Sequence, residues 1–307
     1  MTQAFVWWSE SGGPGKTTNT MQTAAAIARD KYDVLAIDLD PQRGALTHYC
    51  GYEDLDHGNV DNTVMDVFFD NLNPREIIVE TEHFDLLPGH EDLGNFESAL
   101  DSSGRRGVDE YWVVREDLED LANDYDVIIL DVQATLNKLV DNALVAGRNI
   151  MVPIELSPKG DASQQGLEST IEAMNSGFNK MGVEVAIKGA VPSRVGNAKI
   201  FEKYRDALED RDVPLSPFSI PEHSLLRYTW DERMDLFQFI ESEETRDLRS
   251  YEEHVPLAYK VIGRWMTGDY SYDKAVEKWD KVKDNEMGDA EPERLLDDDT
   301  SDNEVSA

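Results

Sequence analysis

Ten consecutive residues, Ser9-Glu10-Ser11-Gly12-Gly13-Pro14-Gly15-Lys16-Thr17-Thr18, hold the densest chemistry in the chain. Glycines at this density let backbone N–H groups approach an anion and take up positive φ. The segment lies between an apolar stretch, Gln3 to Trp8, and a helix-like stretch, Thr17 to Arg29. That is the setting in which such a loop binds phosphate, because the first N–H groups of the helix add positive potential. In that chemistry Lys16 neutralises β- and γ-phosphates and the Thr17 hydroxyl ligates Mg²⁺. The strict spacing G-x-x-x-x-G-K-[ST] is not met, because its first glycine falls on Glu10. A glycine-rich turn with no ligand is the alternative for this segment alone.

Carboxylates supply the second half of the pattern. Val34-Leu35-Ala36-Ile37-Asp38-Leu39-Asp40-Pro41-Gln42 puts two at the end of an apolar run, and Asp126-Val127-Ile128-Ile129-Leu130-Asp131 puts a third at another. A single Asp at a strand end is usually a turn or cap residue. Three of them beside a phosphate loop fit metal-side carboxylates better.

Positioning these residues calls for strands that end together. Further short apolar runs occur at Phe84–Leu87, Asn149–Ile154, Val185–Val191 and Pro217–Ile220, each ending in polar or turn residues. Helical spacing lies between them, at Leu118–Leu121 and Ala162–Met174. Alternation of this kind predicts an α/β fold, a mostly parallel twisted sheet with helices on both faces. Ligands then sit at the carboxyl ends of the strands. His254–Met266 reads as a C-terminal helix that Lys274–Lys283 extends. The spacing predicts one domain over residues 1–283 and an acidic disordered tail over 284–307, where ten acids face one base.

Composition narrows the class. Among 307 residues there are 63 acids and 29 bases, a net charge of −34, which argues against a general polybasic nucleic-acid coat. The one cysteine, Cys50, excludes an internal disulfide and reads as buried. The six histidines show no metal-ligand spacing, and Trp7 and Trp8 read as core. No apolar run reaches the length of a membrane span and no signal peptide is visible, so the expectation is a soluble, cytoplasmic protein. The acidity is spread over the body and suits high salt, a composition similar to that of proteins from salt-accumulating archaea.

Taken together, these motifs resemble the ParA/MinD group of deviant Walker ATPases, and most closely the partition ParA branch. Gly12 to Thr18 matches the family's Gly-Gly-x-Gly-Lys-Thr-Thr loop, Asp38 to Gln42 its Asp-x-Asp-Pro-Gln motif, and Tyr125 to Asp131 its Tyr-Asp-x-Ile-Ile-Ile-Asp strand. Asn142–Ala146, Val152–Ile154, Leu86–Gly89 and Ile220-Pro221 also look like the family. The resemblance covers about residues 3 to 266. It implies a P-loop fold, Mg²⁺ and ATP as cofactors, and an ATP-bound sandwich homodimer. It also implies non-specific DNA binding, a ParB-type or other cargo adaptor as partner, no membrane, and a place on the nucleoid. By this resemblance Ser11, Gly12, Gly13, Pro14, Gly15, Lys16, Thr17 and Thr18 hold ATP and Asp40 positions or activates the attacking water. Asp38 and Asp131 support the metal shell that Thr17 ligates, and Arg194 and Pro221 flank the base. Lys16 and Asp40 are the catalytic pair. Lys199, Lys203 and Arg227 are the DNA-contacting candidates.

The chain departs from the family at two places. Ser11 stands where the signature lysine begins the loop, and Gln133-Ala134 replaces Pro-Pro after Asp131. A serine cannot make the charge-assisted contact a lysine makes. Arg43 and Lys159 are the candidates to restore that charge. Three alternatives stand beside the partition reading: a MinD-like positioning ATPase, a non-hydrolysing nucleotide-binding scaffold, and a metabolic P-loop enzyme.

Overall fold

The computed structural model describes residues 2–10, 15–58, 60–155, 182–195, 215–216, 219–221, 224–242 and 250–284, with isolated positions at 169, 172, 175–178 and 296. Eight strands form one sheet in the order β3-β4-β2-β5-β1-β6-β7-β8. They are β1 (Gln3–Trp7), β2 (Val34–Leu39), β3 (Val79–Glu80), β4 (Asp85–Leu87), β5 (Val127–Val132), β6 (Asn149–Ile154), β7 (Ala186–Val195) and β8 (Ile220–Pro221). Every pairing is parallel except that of the short edge strand β3 with β4. The expected mostly parallel sheet is therefore present, with one antiparallel edge that the two-residue β3 was too short to signal.

Side chains alternate across the central strands and are buried on both sides. Val6 and Trp8 join one core while Phe5 and Trp7 join the other. The first core is covered by α4 (Val64–Asp70), α5 (Phe96–Ser103), α6 (Val113–Leu121) and α7 (Lys138–Gly147). The second is covered by α1 (Lys16–Arg29) and the helix Ser250–Thr267, which pack against each other. Two short helices, α2 (Leu46–Tyr49) and α3 (Glu53–Asp56), follow β2. Near-continuous apolar strands need such two-sided cover.

Several boundaries differ from the sequence expectation. The strand expected over Val185–Val191 runs on to Val195, and among the described residues of the last run the strand is Ile220–Pro221. Most of Ala162–Met174 lies outside the described residues. Lys274–Lys283 does not extend the preceding helix. Gly268, at φ 87°, breaks the chain and a separate helix, Tyr272–Asp284, begins. Within the expected disordered tail, Leu296 is buried, and its carbonyl accepts from Arg264 Nη1 at 2.7 Å and from the Tyr270 hydroxyl. An apolar side chain and a satisfied carbonyl anchor that residue to the body, which is the opposite of a solvated tail at that point. Trp7 and Trp8 are fully buried, as expected. Cys50 is half-buried where the sequence predicts a buried residue, and desolvation, with Asp38 next, pushes its thiol well above the ordinary value. Among the described residues no helix is long and apolar enough to cross a membrane.

The helix α6 carries a testable electrostatic cost. Burial pushes Asp117 up to about 7, and Asp120 and Glu116 add to the shift. Its carboxyl holds its proton in the folded chain at pH values where the unfolded chain has lost it. Stability therefore falls as pH rises from about 4 to about 7. Asp117→Asn removes that loss. The expected gain is nil below pH 4 and, after solvent screening, about 1 kcal/mol at pH 8, read from denaturant midpoints at the two pH values.

Candidate functional site

Helix α1 begins abruptly. Gly15 precedes it in the left-handed region at φ 99°, and no side chain caps the first turn. Its opening sequence, Lys-Thr-Thr-Asn-Thr, is poor in strong helix formers. Burial compensates: Asn19 through Ile27 lie in the interior. The uncapped N–H groups of the first turn are left for an anion. A cavity of about 320 Å³ opens there, lined by Gly15, Lys16, Thr17 and Thr18 from the loop and helix, Asp40, Gln42 and Arg43 after β2, Ala134 after β5, and Trp230.

The strand register explains the carboxylates. Asp38 pairs with Asp131 in adjacent strands, and Trp7 pairs with Asp131 on its other side. Ile37, Leu39, Leu130 and Val132 all face the other core. Alternation therefore turns Asp38 and Asp131 toward α1, and both are 0% exposed.

Their environments separate their roles. Asp38 Oδ2 accepts from Thr47 N and Thr47 Oγ1, each at 2.7 Å, and Oδ1 accepts from Asp40 N at 3.1 Å. Both oxygens are engaged, so Asp38 clamps the turn that carries Asp40. Desolvation pushes it up to about 7 against the pull of the Thr47 hydrogen bonds. Asp131 differs. Oδ1 accepts from Thr20 Oγ1 at 3.4 Å, while Oδ2 is buried without a hydrogen-bond partner. Burial, then the charge of Asp38, drives its carboxyl well above the usual range, and the neighbouring Thr17 hydroxyl and Lys16 pull it back. Lys16, 9% exposed, is lowered by burial, while Asp131 and then Asp40 raise it. Asp40 is raised by burial and lowered by Gln42 N, which donates to its Oδ1 at 3.0 Å, and by Lys16.

Lys16, the orphaned Asp131 oxygen, the threonine hydroxyls and a helix start with no side-chain cap suit a phosphate-bound divalent cation. Mg²⁺ keeps several waters and takes one or two protein ligands with phosphate oxygens. Among the described residues no group of three or more His, Cys, Asp or Glu side chains is placed to hold a metal by itself.

Gly89, after β4, is part of the same construction. Its N–H donates to Thr47 Oγ1 at 2.8 Å. A Cβ there would sit 2.8 Å from Asp38 Cγ and 2.8 Å from the Asp38 carbonyl oxygen. Gly89→Ala must displace the clamp and the strand end. It is expected to cost about 1–3 kcal/mol in denaturant unfolding, and to shift the turn that carries Asp40. An unchanged midpoint would show that the clamp yields without strain.

Of the site residues expected from sequence, Gly15, Lys16, Thr17, Thr18 and Asp40 line one cavity. Asp38 and Asp131 lie beneath it, on the α1 face of the sheet. Ser11, Gly12, Gly13, Pro14, Lys159, Lys199 and Lys203 lie outside the described residues. Arg194 and Pro221 sit in adjacent strands, where Val195 pairs with Pro221 and Ser193 with Ile220. Ser193 ties that end to α1: Asn19 Nδ2 donates to its Oγ at 3.2 Å, and Tyr259 donates to Asn19 Oδ1 at 3.0 Å. Arg227 is exposed on the helix Ser224–Glu232 and is not among the residues that line the cavity. The sequence reading missed Trp230 and the Thr47 clamp. Trp230 lies 212 positions from the Thr18 it meets, so no local pattern signals it.

The comparisons agree with this geometry. A family model described as AAA domain (AAA_31) matches residues 4–183, more than half of the chain. The chromosome partitioning protein ParA of Myxococcus xanthus is 28% identical over 173 residues, covering 56% of this chain and 58% of that protein. The chromosome-partitioning ATPase Soj of Thermus thermophilus is 31% identical over 172 residues, covering 56% and 62%. The chain thus spans less than two-thirds of the length of these two relatives. Among solved structures, the septum site-determining protein MinD of Pyrococcus horikoshii, complexed with Mg-ADP, superposes with TM-score 0.63 at 22% identity, covering 88% and 96%. Cobyrinic acid a,c-diamide synthase of Mycobacterium smegmatis, with bound ADP and magnesium, does so with TM-score 0.61 at 26% identity, covering 76% and 92%. The chain belongs to the ParA/MinD family of P-loop ATPases.

Proposed function

We propose that this protein is an Mg²⁺- and ATP-dependent partition switch that forms a nucleotide sandwich dimer, binds DNA without sequence preference and segregates plasmid or chromosomal DNA. The observation that carries the reading is the meeting of Lys16, Thr17 and Asp40 at one cavity, above the orphaned Asp131 Oδ2. ATP bound there supplies the phosphoryl group, and Mg²⁺ supplies charge neutralisation at its β/γ oxygens. Lys16 and the first N–H groups of α1 bind the phosphates. Thr17 would ligate the cation, and Asp131 would support its shell. Asp40 orients the attacking water, and Asp38 holds the turn that carries Asp40. Arg194 and Pro221 flank the base. Arg43, an exposed residue of the cavity lining, would add the positive charge that Ser11 lacks. Catalysis of this kind is mostly positioning and electrostatic stabilisation, so a cation short of its geometry slows turnover by orders of magnitude.

The proposed body is one domain over residues 1–283. Exposed Arg227, with Lys199 and Lys203 spaced to share a helix face, would meet DNA phosphates, and a ParB-type or other adaptor would link the switch to its cargo on the nucleoid. The second reading is a non-hydrolysing or MinD-like positioning scaffold that binds ATP and a protein partner. The serine at position 11 favours it.

Steady-state ATP hydrolysis in high KCl with Mg²⁺, with and without plasmid DNA, tests the reading. Slow turnover that rises with DNA and disappears in Lys16→Ala supports the partition switch. ATP-dependent dimerisation with no turnover under either condition replaces it with the scaffold.

A further inference from the structure

Trp230 closes one wall of the phosphate cavity from a helix far away in sequence. Its Nε1 lies 3.0 Å from Thr18 Oγ1. An indole nitrogen can only donate, so the Thr18 oxygen must accept. The hydroxyl then keeps its single proton for another acceptor. Thr18 lies in the uncapped first turn of α1 and lines the cavity. An anionic oxygen entering the cavity is an acceptor with a high demand for that proton.

The indole is held in place for this contact. It stacks on Tyr49 with ring centroids 3.9 Å apart and planes 10° from parallel. The Tyr49 hydroxyl accepts from Gln22 Nε2 at 2.8 Å and pairs with Thr229 Oγ1. Gln22 Oε1 in turn accepts from Leu236 N at 2.7 Å. Tyr49, Gln22 and Thr229 are all fully buried. Consecutive residues of one helix, Thr229 and Trp230, are therefore stapled to α2 and to the first turn of α1. A side chain locked by packing and hydrogen bonds gives up little entropy when its ligand binds.

We infer that Trp230 is a positioning residue for nucleotide phosphates: by occupying the Thr18 oxygen it directs the Thr18 O–H into the cavity, toward a phosphate oxygen. This rests on the reading of the cavity as an ATP site. The contact that acts is the N–H. Trp230→Phe removes that donor while keeping an aromatic ring on Tyr49.

Calorimetric titration with Mg-ATP tests the inference on the full chain, using Trp230→Phe, Thr18→Val, the double variant and Lys16→Ala. Trp230→Phe is expected to weaken ATP about threefold to tenfold, the span of one hydrogen bond. Thr18→Val is expected to weaken it at least as much. In the Thr18→Val background, Trp230→Phe is expected to do nothing further, because it acts through that hydroxyl. The titration counts only folded molecules, so a folding defect lowers the stoichiometry and leaves the Kd. Affinity unchanged in Trp230→Phe, or an equal loss with Thr18 already replaced, overturns the inference while a loss in Lys16→Ala upholds the ATP site. If the wild-type chain binds ATP no better than Lys16→Ala, the ATP reading falls and takes the inference with it.

Discussion

Lys16→Ala is expected to abolish Mg-ATP binding, with affinity reduced at least about 100-fold. Lys16 is 9% exposed, and Asp131 and Asp40 are the carboxylates that raise its pKa at the cavity. Two charge-assisted contacts to phosphate oxygens, each worth about 1.5–3 kcal/mol, are enough for that loss. The variant also leaves buried Asp131 and half-buried Asp40 without the Lys16 countercharge. Both then take up protons more readily, so the apo fold survives at neutral pH. Isothermal titration reads the affinity, and circular dichroism on the same sample reads the fold. Binding within threefold of wild type would mean that the cavity is not the nucleotide site.

The second large effect is expected at Asp40. Asp40→Ala should retain ATP binding, lose turnover by about 10²–10⁴-fold, the usual contribution of a positioned acid–base group, and accumulate an ATP-bound dimer. Its side chain lines the cavity, held by Gln42 N at 3.0 Å, and Lys16 lowers its pKa against burial. A carboxylate so placed accepts a proton from water near a phosphate without being consumed as a structural clamp, which is the task Asp38 performs two residues earlier. Turnover and light-scattering mass with and without ATP read the two halves of the prediction. Full turnover in Asp40→Ala would remove Asp40 from the chemistry and turn attention to Asp131.

These two substitutions bracket the consequence of Ser11. Should the wild-type chain hydrolyse ATP, the positive charge must come from elsewhere at the cavity, and Arg43 is the cation that joins Lys16 among its described lining residues. A chain that only binds ATP makes Asp40→Ala indistinguishable from wild type in dimerisation, since the trapped state is then already the resting one.

Much of this protein was determined by sequence alone. Short apolar runs alternating with helices require a parallel sheet, since each run is buried on both faces, and β1, β2, β5 and β6 lie at or within two residues of where the runs are. The loop from Gly12 to Thr18 and the aspartates at 38, 40 and 131 are local motifs, so their residue types and spacing are readable without a fold. Tertiary structure decided what each does. The pairing of Asp38 with Asp131 in neighbouring strands depends on β5 inserting between β2 and β1, a matter of topology and not of spacing. The division of labour between them depends on Thr47, whose hydroxyl and amide engage Asp38 and leave Asp131 Oδ2 unpartnered. The burial of Leu296 and the contact of Trp230 with Thr18 join segments whose chain separation hides them from any local pattern. Periodicity reports which face a residue buries. It does not report which distant residue meets it there, because that is set by packing helices onto the sheet.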